Sequence, residues 1–146
     1  MIGDDFIAYA GKIAALHGMD PAGARSCVSR AYYGIFHSAS ELLASRQIFI
    51  PKGENAHKKL VMYFANCKNA DAARFASHVG DLHERRKHAD YDLDRSRWET
   101  HAFAKESLER AIALQTAIKT LAAEPLCTAV MDGIRGYLAG TPSPKS

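Results

Sequence analysis

Cysteine is scarce and poorly placed for chemistry: Cys27, Cys67 and Cys127 are the only three in a chain of 146 residues. No Cys-x-x-Cys pair exists, which argues against a zinc knuckle, and an odd, scattered set fits buried thiols in a reducing compartment. No metal site and no cofactor are expected. Long apolar runs are missing too, none approaching the ~20 residues that span a bilayer, so no membrane association is expected. Charge of one sign is also lacking. The 19 basic and 16 acidic residues leave a net +3, which permits a polyanion partner without demanding one. The opening Met1-Ile2-Gly3-Asp4-Asp5 lacks the basic start of a secretory signal, so a cytoplasmic protein is expected. Strand-like alternation and internal repeats are absent from end to end, which removes the sheet architectures.

What is present is helical periodicity, on a length suited to one domain with its own core. A first helix spans about Asp4 to His17, with Phe6, Ala10, Ile13 and His17 on one stripe and Gly18 closing it. Asp20-Pro21 then opens a long second helix to about Ser45, an N-cap followed by proline in the first turn. Its stripe runs Cys27, Val28, Ala31, Tyr32, Ile35, Phe36, Ala39, Leu42 and Leu43. Ile48-Phe49-Ile50 before Pro51 reads as a turn whose apolar patch folds back on the bundle. A third helix covers about Glu54 to Asn69. Asp71 caps a fourth that carries Phe75, Val79 and Leu82 to about Tyr91. The fifth is expected from Arg97 to Ala123, with Leu108, Ala111, Ile112, Gln115, Ile118 and Ala122 inward. A shorter stretch from Leu126 to Leu138 follows Pro125. The pattern predicts an all-α, up-and-down antiparallel bundle of about five helices plus a short C-terminal helix, covering 1–139, with a disordered tail over 140–146.

Polar residues break two of these seams. Phe75, Val79 and Leu82 continue by steps of three and four to Arg86 and Ala89, so Arg86 takes a core position. A charge there wants an acidic partner or an anionic ligand, and Asp90 lies one turn further on. The surrounding run from His83 to Tyr91 reads equally well as a solvated, salt-bridged helix end. On the second helix, Arg30, Tyr33 and His37 form a polar stripe beside the apolar one. Packing is the simpler reading of that stripe, since Tyr and His bury an apolar body and expose a polar tip.

At these residues the sequence resembles the HEPN family, small helical domains of prokaryotic toxin–antitoxin and defence systems. Arg30-Ala31-Tyr32-Tyr33-Gly34-Ile35-Phe36-His37 with Leu42-Leu43 is similar to the family's second helix. His57, with Phe64 seven residues on, is similar to its third, and Arg86 with Ala89-Asp90-Tyr91 to its Arg-x-x-Ala-Asp-Tyr signature. The resemblance spans about Ala22 to Leu121. It implies an RNA-directed module, often a metal-independent endoribonuclease whose Arg/His motifs face each other across a homodimer two-fold. It also implies a nucleotidyltransferase-type antitoxin as partner. Arg85, Arg86, His88, Asp90 and Tyr91 then take the catalytic positions, with Arg30, Tyr33, His37 and His57 supporting them. In active members four to six residues separate arginine from histidine. Here His88 follows Arg85 by only three, a degenerate motif. Three readings stay open: a ribonuclease, a non-catalytic dimer binding RNA, a nucleotide or a partner protein, and a helical adaptor.

Overall fold

The computed structural model describes residues 2–16 and 20–140. The described residues form six α-helices: α1 (Gly3–Ala15), α2 (Pro21–Ala44), α3 (Ala56–Ala65), α4 (Ala70–Tyr91), α5 (His101–Ala122) and α6 (Leu126–Gly140). A short 3-10 helix (Ser96–Glu99) precedes α5, and no strand occurs among the described residues. The architecture is thus the all-helical bundle that the periodicity predicts. No helix among the described residues is long and apolar enough to cross a membrane. The expected end of α1 at His17 and Gly18, and the tail beyond Gly140, lie outside the described residues.

The helix boundaries follow local chemistry. Asp20 caps α2, its carboxylate accepting from the Gly23 amide at 2.7 Å with Pro21 in the first turn. The cap of α4 is Asn69 rather than Asp71: the Asn69 side chain accepts from the Ala72 amide at 3.0 Å. Asp71 instead lies inside the first turn and pairs with Arg74 at 3.1 Å. The helix expected from Arg97 is broken in two. Thr100 takes extended backbone and its hydroxyl accepts from the Phe103 amide at 3.1 Å, which starts α5 afresh. The inward face of α5 also differs from the expected stripe. Ala104, Ser107, Leu114 and Leu121 join Leu108 and Ala111 inside, while Ile112 is 48% exposed and Gln115 donates to Asp4 at 2.7 Å. Of the turn 48–50, Ile48 is buried and Ile50 packs on the core, whereas Phe49 stays out in solvent.

α2 is the spine, with Tyr32, Ile35, Val28 and Leu43 fully buried between α1, α4 and α5. Residue pairs fix the directions. Arg25 meets Ala89 and Tyr33 meets Arg86, so α4 runs antiparallel to α2. Arg85 meets Ser107, making α5 antiparallel to α4. His57 stacks on His83 and Phe64 meets Phe75 edge-to-face, so α3 is antiparallel to α4 and points the same way as α2. Segment 45–55 leads the chain back along α2 to begin α3 beside Tyr32.

Two close crossings depend on glycine. A Cβ on Gly34 would lie 2.8 Å from the Gly3 carbonyl and 2.4 Å from Ile7 Cγ1, so α1 and α2 touch backbone to backbone there. A Cβ on Gly133 would lie 2.0 Å from the Cys67 carbonyl, and its absence lets α6 close over the end of α3. All three cysteines are free and buried. Burial pushes the Cys27 thiol up to about 11, as suits an inert thiol.

Candidate functional site

The antiparallel pairing of α2 and α4 brings the polar stripe of α2 against the charged end of α4. Arg86 is the centre of the contact. Its Nη2 donates to the Tyr33 hydroxyl, and its guanidinium lies 4.9 Å from the Tyr33 ring centroid and 5.6 Å from that of Tyr91. Nε approaches Asp90 Oδ2 at 2.9 Å, an ion pair too bent to count as a hydrogen bond. Ser29 Oγ donates to the same Asp90 oxygen at 3.3 Å. The Arg86 side chain is only 11% exposed, so this is a fixed cation on an apolar seam, paired with Asp90 one turn on as the spacing predicts. Tyr91 is 69% exposed, its ring facing solvent with the guanidinium behind it.

A ring cluster backs this contact. The Tyr32 hydroxyl meets His57 Nδ1 at 2.5 Å, His57 stacks on His83 at 4.8 Å, and His83 stacks on Tyr32 at 4.9 Å. His37 lies 6.1 Å from Tyr33 and stacks on Phe6 of α1 at 5.1 Å. Tyr33, His37 and His57 therefore lie in one ring cluster next to Arg86. Arg30 is exposed and makes no contact with it.

The other sequence-derived candidates turn elsewhere. Arg85 points to α5, where Nη1 donates to Ser107 Oγ at 3.1 Å, Nη2 meets Glu106 at 3.0 Å and the guanidinium sits 4.7 Å from the Phe103 centroid. It braces α4 against α5. His88 lies flat on Trp98 at 4.3 Å, and its Nδ1 pairs with Asp92. That contact holds the Asp92 carboxyl below the usual range. Arg85, Arg86 and His88 thus leave α4 in three directions and share no cleft within one chain.

The largest buried charge escaped sequence reading. Arg25 has 8% of its surface exposed and fans out over the end of α4. Nη1 donates to the carbonyls of His88 (3.2 Å) and Ala89 (2.8 Å), Nη2 to those of Asp92 (2.9 Å) and Arg95 (3.1 Å), and Nε to Glu99 (3.1 Å). Arg25 supplies the Ala89 carbonyl with its one described donor and adds a second donor to the carbonyls of His88, Asp92 and Arg95, which already accept from the backbone amides of Asp92, Arg95 and Trp98. Arg25 thereby sets where α4 stops and how the 92–99 connector folds beside Tyr91.

The histidines give the cluster a pH dependence. Burial lowers His83 to about 4, helped by the charges of His57, Lys87 and Arg86 and opposed by Glu84. Burial also lowers His57, followed by the charges of Arg86 and His37. In the unfolded chain both return to ~6.5. The unfolded state therefore takes up protons first as pH falls, and stability present above ~6.5 drains away toward pH 4. We expect a loss of about 1–3 kcal/mol from pH 7 to 4.5, allowing for solvent at the half-buried rings. Urea unfolding across that range measures it, and His83→Phe should flatten the slope. A wild-type profile flat down to pH 4.5 would contradict the assignment.

Among the described residues, no group of three or more His, Cys, Asp or Glu is arranged to hold a metal ion. Comparison of the chain with protein-family models, with curated proteins and with solved structures found no match.

Proposed function

We propose that this chain is an RNA-directed module of HEPN type, acting in a toxin–antitoxin or defence system as a homodimer that binds RNA without cutting it. The observation that carries the reading is the exposed Tyr91 ring backed by the fixed guanidinium of Arg86. An outward aromatic of fixed orientation is what an unstacked RNA base packs on. A second ring pair, His88 on Trp98 with Arg97 4.3 Å above the indole, stands on the same helix end. Exposed Lys87, Arg95 and Arg97 supply cations for phosphates there. The divergence of Arg85, Arg86 and His88 favours binding over cleavage, because no arginine shares a reacting centre with a histidine of the expected motif. A nucleotidyltransferase-type partner and the cytoplasmic setting rest on the family resemblance alone.

One observation favours a metal-independent endoribonuclease instead. Asp92 engages His88 Nδ1 while Nε2 makes no described hydrogen bond, the arrangement that readies an imidazole as a base toward a ribose 2′-hydroxyl. Incubation of the protein with total RNA in EDTA separates the two readings. Binding by gel shift with intact RNA is the expected result. Cleavage lost in His88→Ala would establish the nuclease, and neither binding nor cleavage would refute an RNA-directed role.

A further inference from the structure

The Tyr33–Arg86 contact does not end at α2. Phe6 of α1 stacks on His37, which lies beside Tyr33, and Phe6 also lines a 540 Å³ cavity between α1 and α2. Tyr9, Lys12 and Arg30 complete its useful walls, with Asp5 at one edge. Tyr9 is 55% exposed, unusual for an aromatic on a helix whose other face packs on α2. Lys12 and Arg30 are both exposed, and neither has an ion-pair partner among the described residues. Asp5 is already engaged, accepting from the Ile2 amide at 2.9 Å.

Two rings and two unpaired cations around one cavity meet the two demands of a nucleotide: a face for the base and positive charge for the phosphate. Alternative occupants fit less well. An apolar ligand would leave both cations without counter-charge, and an acidic peptide would have no use for the Tyr9 face. Arg30 is three residues before Tyr33 on the same helix, so the cavity continues the α2–α4 face rather than forming a separate surface. We infer that this cavity is a second nucleotide subsite, taking one base against Tyr9 and Phe6 and its phosphate between Lys12 and Arg30. The inference rests on the RNA-binding reading above, extending the contacted strand from the end of α4 across α2 to α1.

The test is fluorescence anisotropy of a labelled single-stranded RNA twelve-mer of mixed sequence, titrated with the full chain at several salt concentrations. Tyr9→Ala should weaken binding about fivefold or more, and Tyr9→Phe, which keeps the ring face, should restore it. The double variant Lys12→Ala/Arg30→Ala should reduce the slope of log affinity against log salt by about 0.7 to 1.4, one or two phosphate contacts. All three side chains are exposed, and unchanged circular dichroism checks that the variants fold. Wild-type affinity and salt slope in every variant would overturn the subsite while leaving RNA binding at Tyr91 intact. No binding by the wild-type chain would overturn both.

Discussion

Arg25→Met should lower the free energy of unfolding by about 3–5 kcal/mol, the scale for removing one partner from a buried charged network. The substitution keeps an unbranched side chain in place but strips the donors from four carbonyls and from Glu99, which is itself only 26% exposed. The Ala89 carbonyl then has no described donor and must admit water, while the carbonyls of His88, Asp92 and Arg95 keep only their backbone donors from Asp92, Arg95 and Trp98. Arg25→Lys is the informative companion. It retains the charge, yet a single ammonium cannot reach carbonyls on residues 88, 89, 92 and 95 together, so it should recover only part of the loss. Urea denaturation reads both variants. A full rescue by lysine would mean that charge near Glu99 matters and the fan of hydrogen bonds does not.

The second large effect is at Arg86. Arg86→Ala should weaken RNA binding by about 1–3 kcal/mol, the scale of a lost charge-assisted contact, while the helical circular dichroism persists. The cause is indirect, because the 11%-exposed guanidinium fixes Tyr91 and Tyr33 more than it meets solvent. Some stability is lost too, since the Tyr33 hydroxyl and Asp90 lose their cation. Arg86→Lys keeps the charge beside Asp90 but not a guanidinium within reach of both the Tyr33 and Tyr91 rings, so binding should fall further than stability. If Arg86→Ala unfolds the domain and Arg86→Lys binds RNA like wild type, Arg86 is a structural ion-pair residue and no part of the site.

The contrast between these two arginines shows what the sequence carries. Arg86 and Asp90 are one turn apart on one helix, so a charge interrupting the seam and its partner are both visible in local spacing. Arg25 has partners 63 to 74 residues away, and four of the five are backbone carbonyls, which no side-chain pattern reveals. In α2 it reads as one more solvated cation. The same distinction explains the helices. Asp20-Pro21 fixes the start of α2 because capping and proline geometry are local. The face of α5 is harder to read: Ser107 is buried with its hydroxyl satisfied by Arg85 across the α4–α5 contact and by the Phe103 carbonyl, a partner set only partly local. That cross-helix contact turns Arg85 away from Arg86 and His88. His83 carried no seam signal, and it enters the cluster through stacking on Tyr32 and His57 from two other helices.

The proposed recognition of RNA by the end of α4 is tested most directly by titrating wild-type and Tyr91→Ala protein into labelled single-stranded RNA at low salt. Tyr91 is exposed and makes no described hydrogen bond, so its replacement removes no buried packing beyond the ring contact with Arg86, and unchanged circular dichroism checks the fold. The expected result is salt-sensitive binding by the wild type, weakened by ~1–3 kcal/mol in Tyr91→Ala, the worth of one base–aromatic stack. Binding that is equal for both proteins, or none by the wild type at hundreds of micromolar, would contradict an RNA-directed role for this face.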